Sequence, residues 1–332
     1  MQSISTKVLG VALSIGVGVG LIAQPDKAIA AWQPQKPVEF VVMAGQGGGA
    51  DKLARFIQSI IEKNKLASVP FIPINKGGGS GAEALRYLKD KAGDPHVIMA
   101  TLNSYYTTPL RNPGIGVDIA KFTPIARLAE DTFVLWVHAD TPIKTIDDYV
   151  KAVKAAGGKN WKMGGTGKAQ EDELLTNMLK KAYNIDMTYI PYKGGGTVAK
   201  NLAGKHHDST VNNPSETAPF YTAEKKSVRP IAAFTPKRLP MYPDTPTFGE
   251  LGHPEMVYFM QRSVVAPPAI PKDAQEYYIA LFKKVSESKE WQAYTKKQSL
   301  FADFLSGEEL QKYFLKGRED HRAMLKKIGE IK

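Results

Sequence analysis

Four glycine-rich turns constrain this chain more than any other feature. They are Gly45-Gln46-Gly47-Gly48-Gly49-Ala50-Asp51, Asn75-Lys76-Gly77-Gly78-Gly79-Ser80-Gly81, Gly164-Gly165-Thr166-Gly167 and Tyr192-Lys193-Gly194-Gly195-Gly196-Thr197. Each follows a run that reads as a strand and opens a run that reads as a helix. Before the first turn, 38–43 is a continuous apolar stretch. After it, Leu53, Phe56, Ile57, Ile60 and Ile61 recur at helical spacing. A strand over 69–74, broken by Pro70 and Pro73, leads into the second turn, a helix over 82–91 and a strand over 97–100. Strand, loop and helix in this order predict a parallel α/β sheet.

A second unit of the same kind begins with the apolar strand 132–137, which ends at Asp140 and Pro142. It continues with a strand at 161–163, a helix over 169–182, a strand at 187–190, a further helix and a strand at 209–211. Ser263-Val264-Val265-Ala266, closed by Pro267 and Pro268, reads as a strand returning to the first unit. The segment 272–328 reads as mostly helical, with Leu281, Phe282 and Val285, then Leu310, Phe314 and Leu315, in register.

The N-terminus reads as an export signal over residues 1–30. Lys7 precedes an apolar run at 8–23, and Ala28-Ile29-Ala30 supplies small residues for cleavage before Ala31. The run is shorter than the ~20 apolar residues a spanning helix needs. No later segment is long and apolar enough to span a bilayer, so a soluble periplasmic protein is expected. The chain has no cysteine, which excludes disulfides, thiol catalysis, cysteine zinc sites and iron–sulfur clusters. Its formal net charge of +11 favours anionic partners. The basic residues are scattered, and pairs such as Lys225-Lys226 and Lys296-Lys297 suit a solvated face, so no nucleic-acid partner is expected.

Glycine lets a backbone approach a ligand closely, and a helix N-terminus adds partial positive charge. Four such turns at strand ends, where open α/β sheets bind ligands, point to a carboxylate or phosphate site. A dinucleotide enzyme is the rival reading, since Gly45, Gly47 and Ala50 fit G-x-G-x-x-G/A. That fingerprint wants an acid at the end of the second strand, and Asn75-Lys76 stands there. Asp51 is a candidate contact, but beside an anion it would repel, so it reads mainly as a loop organiser. Lys168 and Lys193 sit inside glycine loops and could pair with an acidic ligand. His206-His207-Asp208 reads as surface polar sequence rather than a metal site, and neither Ser104 nor Ser215 sits in a nucleophile pattern.

Taken in order, these residues resemble the Bug family, the extracytoplasmic binding receptors of tripartite tricarboxylate transporters. The resemblance rests on Gly47-Gly48-Gly49-Ala50-Asp51 with Ala54-Arg55, Asn75 with its glycine run, Gly165-Thr166-Gly167 and Pro191-Tyr192-Lys193-Gly194-Gly195. Pro246-Thr247, Glu250-Leu251-Gly252 and Ala266-Pro267-Pro268 complete it. It implies a type II periplasmic-binding-protein fold, with mixed sheets flanked by helices in two lobes, 31–135 with 264–332 and 136–263, and an interdomain cleft. It implies a carboxylate held by Gln46, Gly47, Gly48, Gly49 and Ala50, by Gly165, Thr166 and Gly167, and by Tyr192, Gly194 and Gly195. Asn103, Ser104, Asn212, Asn213, Glu216 and Arg262 would set specificity. It further implies a monomeric binder without cofactor or catalysis, whose partners are a small organic carboxylate and the membrane subunits of the transporter. Two segments depart from the family pattern: Met43-Ala44-Gly45-Gln46, where proline-rich residues are common, and Lys168-Ala169-Gln170-Glu171-Asp172 after Gly167.

Overall fold

In the computed structural model, which describes residues 32–332 other than 169 and 225, the first apolar run forms strand β1 (Val38–Val42). Helix α1 (Gly49–Lys63) follows, then β2 (Phe71–Asn75), α2 (Ala82–Asp90), β3 (Val97–Thr101), α3 (Ser104–Arg111) and β4 (Thr123–Thr132). The next stretch holds β5 (Val134–His138), α4 (Ile146–Ala155), β6 (Lys162–Thr166), α5 (Glu171–Tyr183), β7 (Thr188–Tyr192) and α6 (Gly195–Ala203). Then come β8 (Ser209–Asn212), the single turn α7 (Pro214–Thr217) and β9 (Val228–Ala233). The chain closes with β10 (Phe259–Ala266), α8 (Lys272–Glu287), α9 (Lys289–Gln298), β11 (Phe301–Ser306) and α10 (Gly307–Ile328). The export signal expected over residues 1–30 lies outside the described residues.

Two mixed sheets result. One has six strands in the order β11-β4-β10-β3-β1-β2, and the other five in the order β7-β6-β8-β5-β9. The β1–β2, β1–β3, β6–β7 and β6–β8 pairs are parallel, so the glycine turns leave these strands at their carboxyl ends. The returning strand β10 runs antiparallel between β3 and β4. Pro73 in β2, Pro191 in β7 and Pro230 in β9 lie on edge strands, and Pro124 stands at the second residue of β4, beside β10.

The core explains the assignment of elements. α1 buries Leu53, Ile57, Ile60 and Ile61 of the apolar stripe that its spacing predicts, with Ala54 beside them, while Phe56 of that stripe is partly buried. Each large aliphatic side chain so buried contributes about 1.5–3 kcal/mol. β3 and β5 are buried along their whole length, as strands covered on both faces must be.

The structure refines one reading and adds three strands that the sequence reading lacked. The strand expected over 132–137 is a junction: Thr132 ends β4, and β5 starts at Val134 in the other sheet, so the chain changes sheets at the buried Phe133. β4 itself carries Arg127, Glu130 and Asp131, charges that mask a central strand. β9, at the edge of the five-stranded sheet, had no counterpart in the sequence reading. The segment taken as mostly helical contains β11, whose first three residues are exposed and which pairs only with β4.

Candidate functional site

A cavity of about 520 Å³ is lined by the turns that follow β1, β2, β6 and β7, together with Leu102, Asn213, Glu216 and the β10 residues Met260 and Arg262. Both sheets therefore contribute. Of the candidates from sequence, Gly48, Gly49, Ala50, Thr166, Gly167, Lys168, Tyr192, Lys193, Gly194, Gly195, Asn213 and Arg262 line it. Gln46, Gly47, Asp51, Asn103, Ser104 and Gly165 stand behind or beside it.

The reasons differ from residue to residue. Gln46 and Gly47 are exposed, and the Gly47 carbonyl lies against Gly196 of the turn after β7. Asp51 is buried and organises that turn: Oδ2 accepts from the Gly47 N–H at 2.9 Å, and Oδ1 accepts from Arg55 Nε at 2.9 Å and Asn75 Nδ2 at 3.0 Å. Asn103 is buried and holds the returning strand, donating to Tyr258 Oη at 2.9 Å and the Phe259 carbonyl at 2.7 Å. Its Oδ1 accepts from the Gln261 N–H at 3.1 Å. Ser104 is fully buried beside it. Gly165 is backed by the Tyr189 ring, whose hydroxyl donates to the Gly167 carbonyl at 2.9 Å.

His207 needs correction. It is buried rather than a surface residue, and its imidazole lies where a side chain on Gly164 would project, which is why β6 has glycine there. Nδ1 approaches Tyr192 Oη at 3.3 Å, and burial, with the nearby His206 charge, lowers its pKa to about 4. Asp208 accepts from the Lys162 N–H at 2.7 Å. Among the described residues, no group of three or more His, Cys, Asp or Glu could hold a metal ion.

Three buried acids line the cavity: Glu216, which the family resemblance put among the specificity residues, and Glu171 and Asp172, which the sequence reading noted only as a departure from the family pattern. Glu216 lies between two helix N-termini. Its Oε1 accepts from the Gly49 N–H, the first of α1, at 2.9 Å, and a Cβ on Gly195, the first residue of α6, would fall on Oε2. Glycine at 195 is thus required by the close approach of this carboxylate. Asp172 Oδ2 accepts from the Thr166 N–H at 2.7 Å. Glu171 is buried, and its Oε1 has no hydrogen-bond partner among the described residues.

Burial raises the pKa of Glu216 above the ordinary carboxylate value, against the pull of Arg262 and the Gly49 N–H. Burial also raises Glu171, and lifts Asp172 well above its usual value with help from the Glu216 and Glu171 charges. Arg262, the buried cation of the lining, is committed to Asp131, to which it donates from Nε at 3.1 Å and again from Nη2. Burial works against the guanidinium's charge, but Asp131 outweighs it and the Arg262 pKa is raised. Lys168 and Lys193 are exposed, so their charges stand in water.

Residues 53–329 match the family described as the tripartite tricarboxylate transporter family receptor. The chain belongs to that family. It is 27% identical over 318 residues to the "UPF0065 protein in gbd 5'region" of Cupriavidus necator, covering 95% of this chain and 94% of the relative. The solved structure of the periplasmic binding protein BugD superposes with a TM-score of 0.82 at 23% identity, covering 90% of this chain and 99% of BugD. A structure of an R. palustris protein with adipate gives 0.80 at 24% identity, covering 89% and 98%. The receptor's fold is accordingly that of a periplasmic binding protein. Its family comprises transport receptors rather than enzymes, which removes the dinucleotide reading of the Gly45–Gly49 turn.

Proposed function

We propose that this receptor is exported to the periplasm, binds a small organic carboxylate in its cavity as a monomer, and delivers it to the membrane subunits of a tripartite tricarboxylate transporter. In this reading the two sheets belong to two lobes, and the cavity is the cleft between them. The observation that carries it is the convergence on one cavity of the first turns of α1, α5 and α6, drawn from both sheets. Helix N-termini favour negative charge, and the adipate-bound relative binds a dicarboxylate on the same fold. The leader over residues 1–30 supplies the export step, and cleavage before Ala31 is checked by the mass of the periplasmic form.

A thermal-shift panel of mono-, di- and tricarboxylates with their methyl esters tests the ligand class. A ligand at a hundredfold excess over Kd stabilises the folded state by about 2.7 kcal/mol. At roughly 2–4 °C per kcal/mol for a chain of this size, the shift is about 5–10 °C. At least one acid is expected to give it where its ester does not, because the ester loses the charge that strengthens these bonds. A panel without a responding acid, beside a clear shift with a sugar, would reject the carboxylate.

A further inference from the structure

Over the described residues the chain passes between the two sheets twice, at Phe133 and over 234–258, and the two crossings lie side by side. The Phe234 N–H donates to the Phe133 carbonyl at 3.0 Å, and the Tyr258 N–H donates to the Phe234 carbonyl at 3.0 Å. The Tyr258 ring lies 5.7 Å from that of Phe133. Tyr258 is buried and stands one residue before β10. Its backbone therefore belongs to the return crossing, while its side chain reaches among the helices of the six-stranded sheet.

That side chain enters a relay whose directions are fixed from both ends. His321 Nδ1 lies 2.6 Å from the Gly317 carbonyl, which only accepts, so Nδ1 carries the imidazole proton and Nε2 is an acceptor. The Tyr258 hydroxyl, 3.1 Å from Nε2, therefore donates to it, and its oxygen accepts from Asn103 Nδ2 at 2.9 Å. Asn103 is oriented independently. Its Oδ1 accepts from the Gln261 N–H at 3.1 Å, and Nδ2 also donates to the Phe259 carbonyl at 2.7 Å. A Cβ on Gly317 would fall 2.9 Å from the Tyr106 ring, which packs 4.9 Å from the imidazole, so glycine there lets the two rings meet. The relay joins α10, the return crossing and the N-terminus of α3, and Met260 and Arg262 of the cavity lining follow directly in β10.

We propose that Asn103, Tyr258 and His321 are positioning residues: they form the pivot on which the two sheets turn relative to one another, and they hold Met260 and Arg262 in place at the cavity. The inference rests on the two-lobed reading above for the movement itself, and is independent of which solute is bound. Hinges are a few residues at element ends that absorb the backbone change, and Tyr258 stands at such an end. The relay also responds to acid. Burial lowers the pKa of His321, the Arg111 charge acts in the same sense, and the Gly317 carbonyl and Asp320 oppose them. The other titratable groups around the relay are Tyr106 of α3, Tyr313 of α10 and Glu171 of α5. A proton on Nε2 turns that acceptor into a donor facing the Tyr258 hydroxyl. The relay is therefore intact at neutral pH and breaks only once pH has fallen below the ordinary histidine value of 6.5.

The chain has no cysteine, so a nitroxide pair at Arg86→Cys on α2 and Lys200→Cys on α6, both exposed, reads the distance between the two sides by pulsed electron paramagnetic resonance. Tyr258→Phe removes only the hydroxyl and leaves His321 Nε2 without its donor. It is expected to broaden the distance distribution and to speed hydrogen exchange over 258–262 about tenfold, with β1 and β3 unchanged. His321→Leu removes the acceptor from the other end, carries the same expectation, and stands in where Tyr258→Phe does not fold. His321→Gln keeps an acceptor and takes no proton. It should hold the parent's distribution at pH 7 and keep it towards pH 4, over which the parent broadens. Faster exchange over 258–262 beside an unchanged distribution would make the relay a local brace and overturn the pivot. Exchange that accelerates equally in every peptide would mark a global loss of stability and overturn it as well. A His321→Gln protein that broadens in acid as the parent does would remove His321 from the device, and no change in either measurement would reject the inference outright. The carboxylate panel is read separately by melting, so its failure and this one are told apart.

Discussion

Glu216 holds a charge between two helix N-termini at the expense of hydration, and this gives the unliganded protein a distinctive pH dependence. A carboxyl whose folded pKa is raised keeps a proton that the unfolded chain has released. Its destabilising effect is fully present above the folded pKa and is relieved as pH falls through it. The buried histidines act in the opposite sense. Burial depresses His207 to about 4, and lowers His321 as well, so their contribution is lost as pH falls below the ordinary histidine range. Comparison with an uncharged isostere separates the two effects. Glu216→Gln retains an oxygen for the Gly49 N–H and removes the charge. It is expected to melt higher than the parent at pH 8, with the gap closing as pH approaches the ordinary glutamate value of 4.5. A gap that does not change with pH, or a variant that melts lower at pH 8, would show that this carboxylate is not held against its own desolvation.

Elements whose burial follows a simple period were legible in the sequence, and those stabilised by ion pairs were not. β1, α1 and β3 announce themselves through apolar runs or stripes. β4 does not, because a central strand carrying Arg127, Glu130 and Asp131 looks like a loop until its partners are known. The turns around the cavity were legible as glycine clusters. The acids that occupy their N–H groups were not, since spacing alone cannot tell that residue 216 reaches residue 49. Arg127 illustrates the cost of that blindness. It is buried in β4, donates to Glu130 Oε1 at 2.9 Å and to Asp303 of β11, and its guanidinium lies 4.2 Å from the Tyr313 ring centre on α10. One side chain thus ties β4 to β11 and α10. Arg127→Ala is expected to lower stability by about 1–3 kcal/mol, less than for a fully buried pair because Asp303 is half exposed. Urea denaturation measures it, and a change within about 0.5 kcal/mol would class Arg127 with ordinary surface positions.

Across the whole receptor, the two sheets share a chain that crosses at Phe133 and returns into β10. The cavity between their turns is bridged by few groups of the turns themselves. Ser80 Oγ donates to the Lys168 carbonyl at 2.8 Å, Asn213 Nδ2 to the Thr132 carbonyl at 2.6 Å, and the Gly49 N–H to Glu216 at 2.9 Å. Bonds of this kind contribute about 0.5–1.5 kcal/mol each, somewhat more where a charge takes part. The three around the cavity sum to a few kcal/mol, and away from it Asn177 Nδ2 donates to Glu330 at 2.9 Å and Lys181 Nζ to the Lys327 carbonyl at 3.0 Å. Without solute, the turns at 45–49, 77–81, 165–168 and 193–196 are therefore expected to exchange their amide hydrogens through low-energy opening. β1, β3 and β10, buried in the six-stranded sheet, should remain protected towards the global limit. A solute that touches both sides stabilises, by linkage, whichever arrangement it binds better, by its differential affinity. Any acid that raises the melting temperature should then slow exchange at the first two turns and the last two together. Hydrogen-exchange mass spectrometry resolves these peptides. Slowing confined to the turns of one sheet would mean that the solute binds on one side of the cavity, and the two-lobed capture would have to be abandoned.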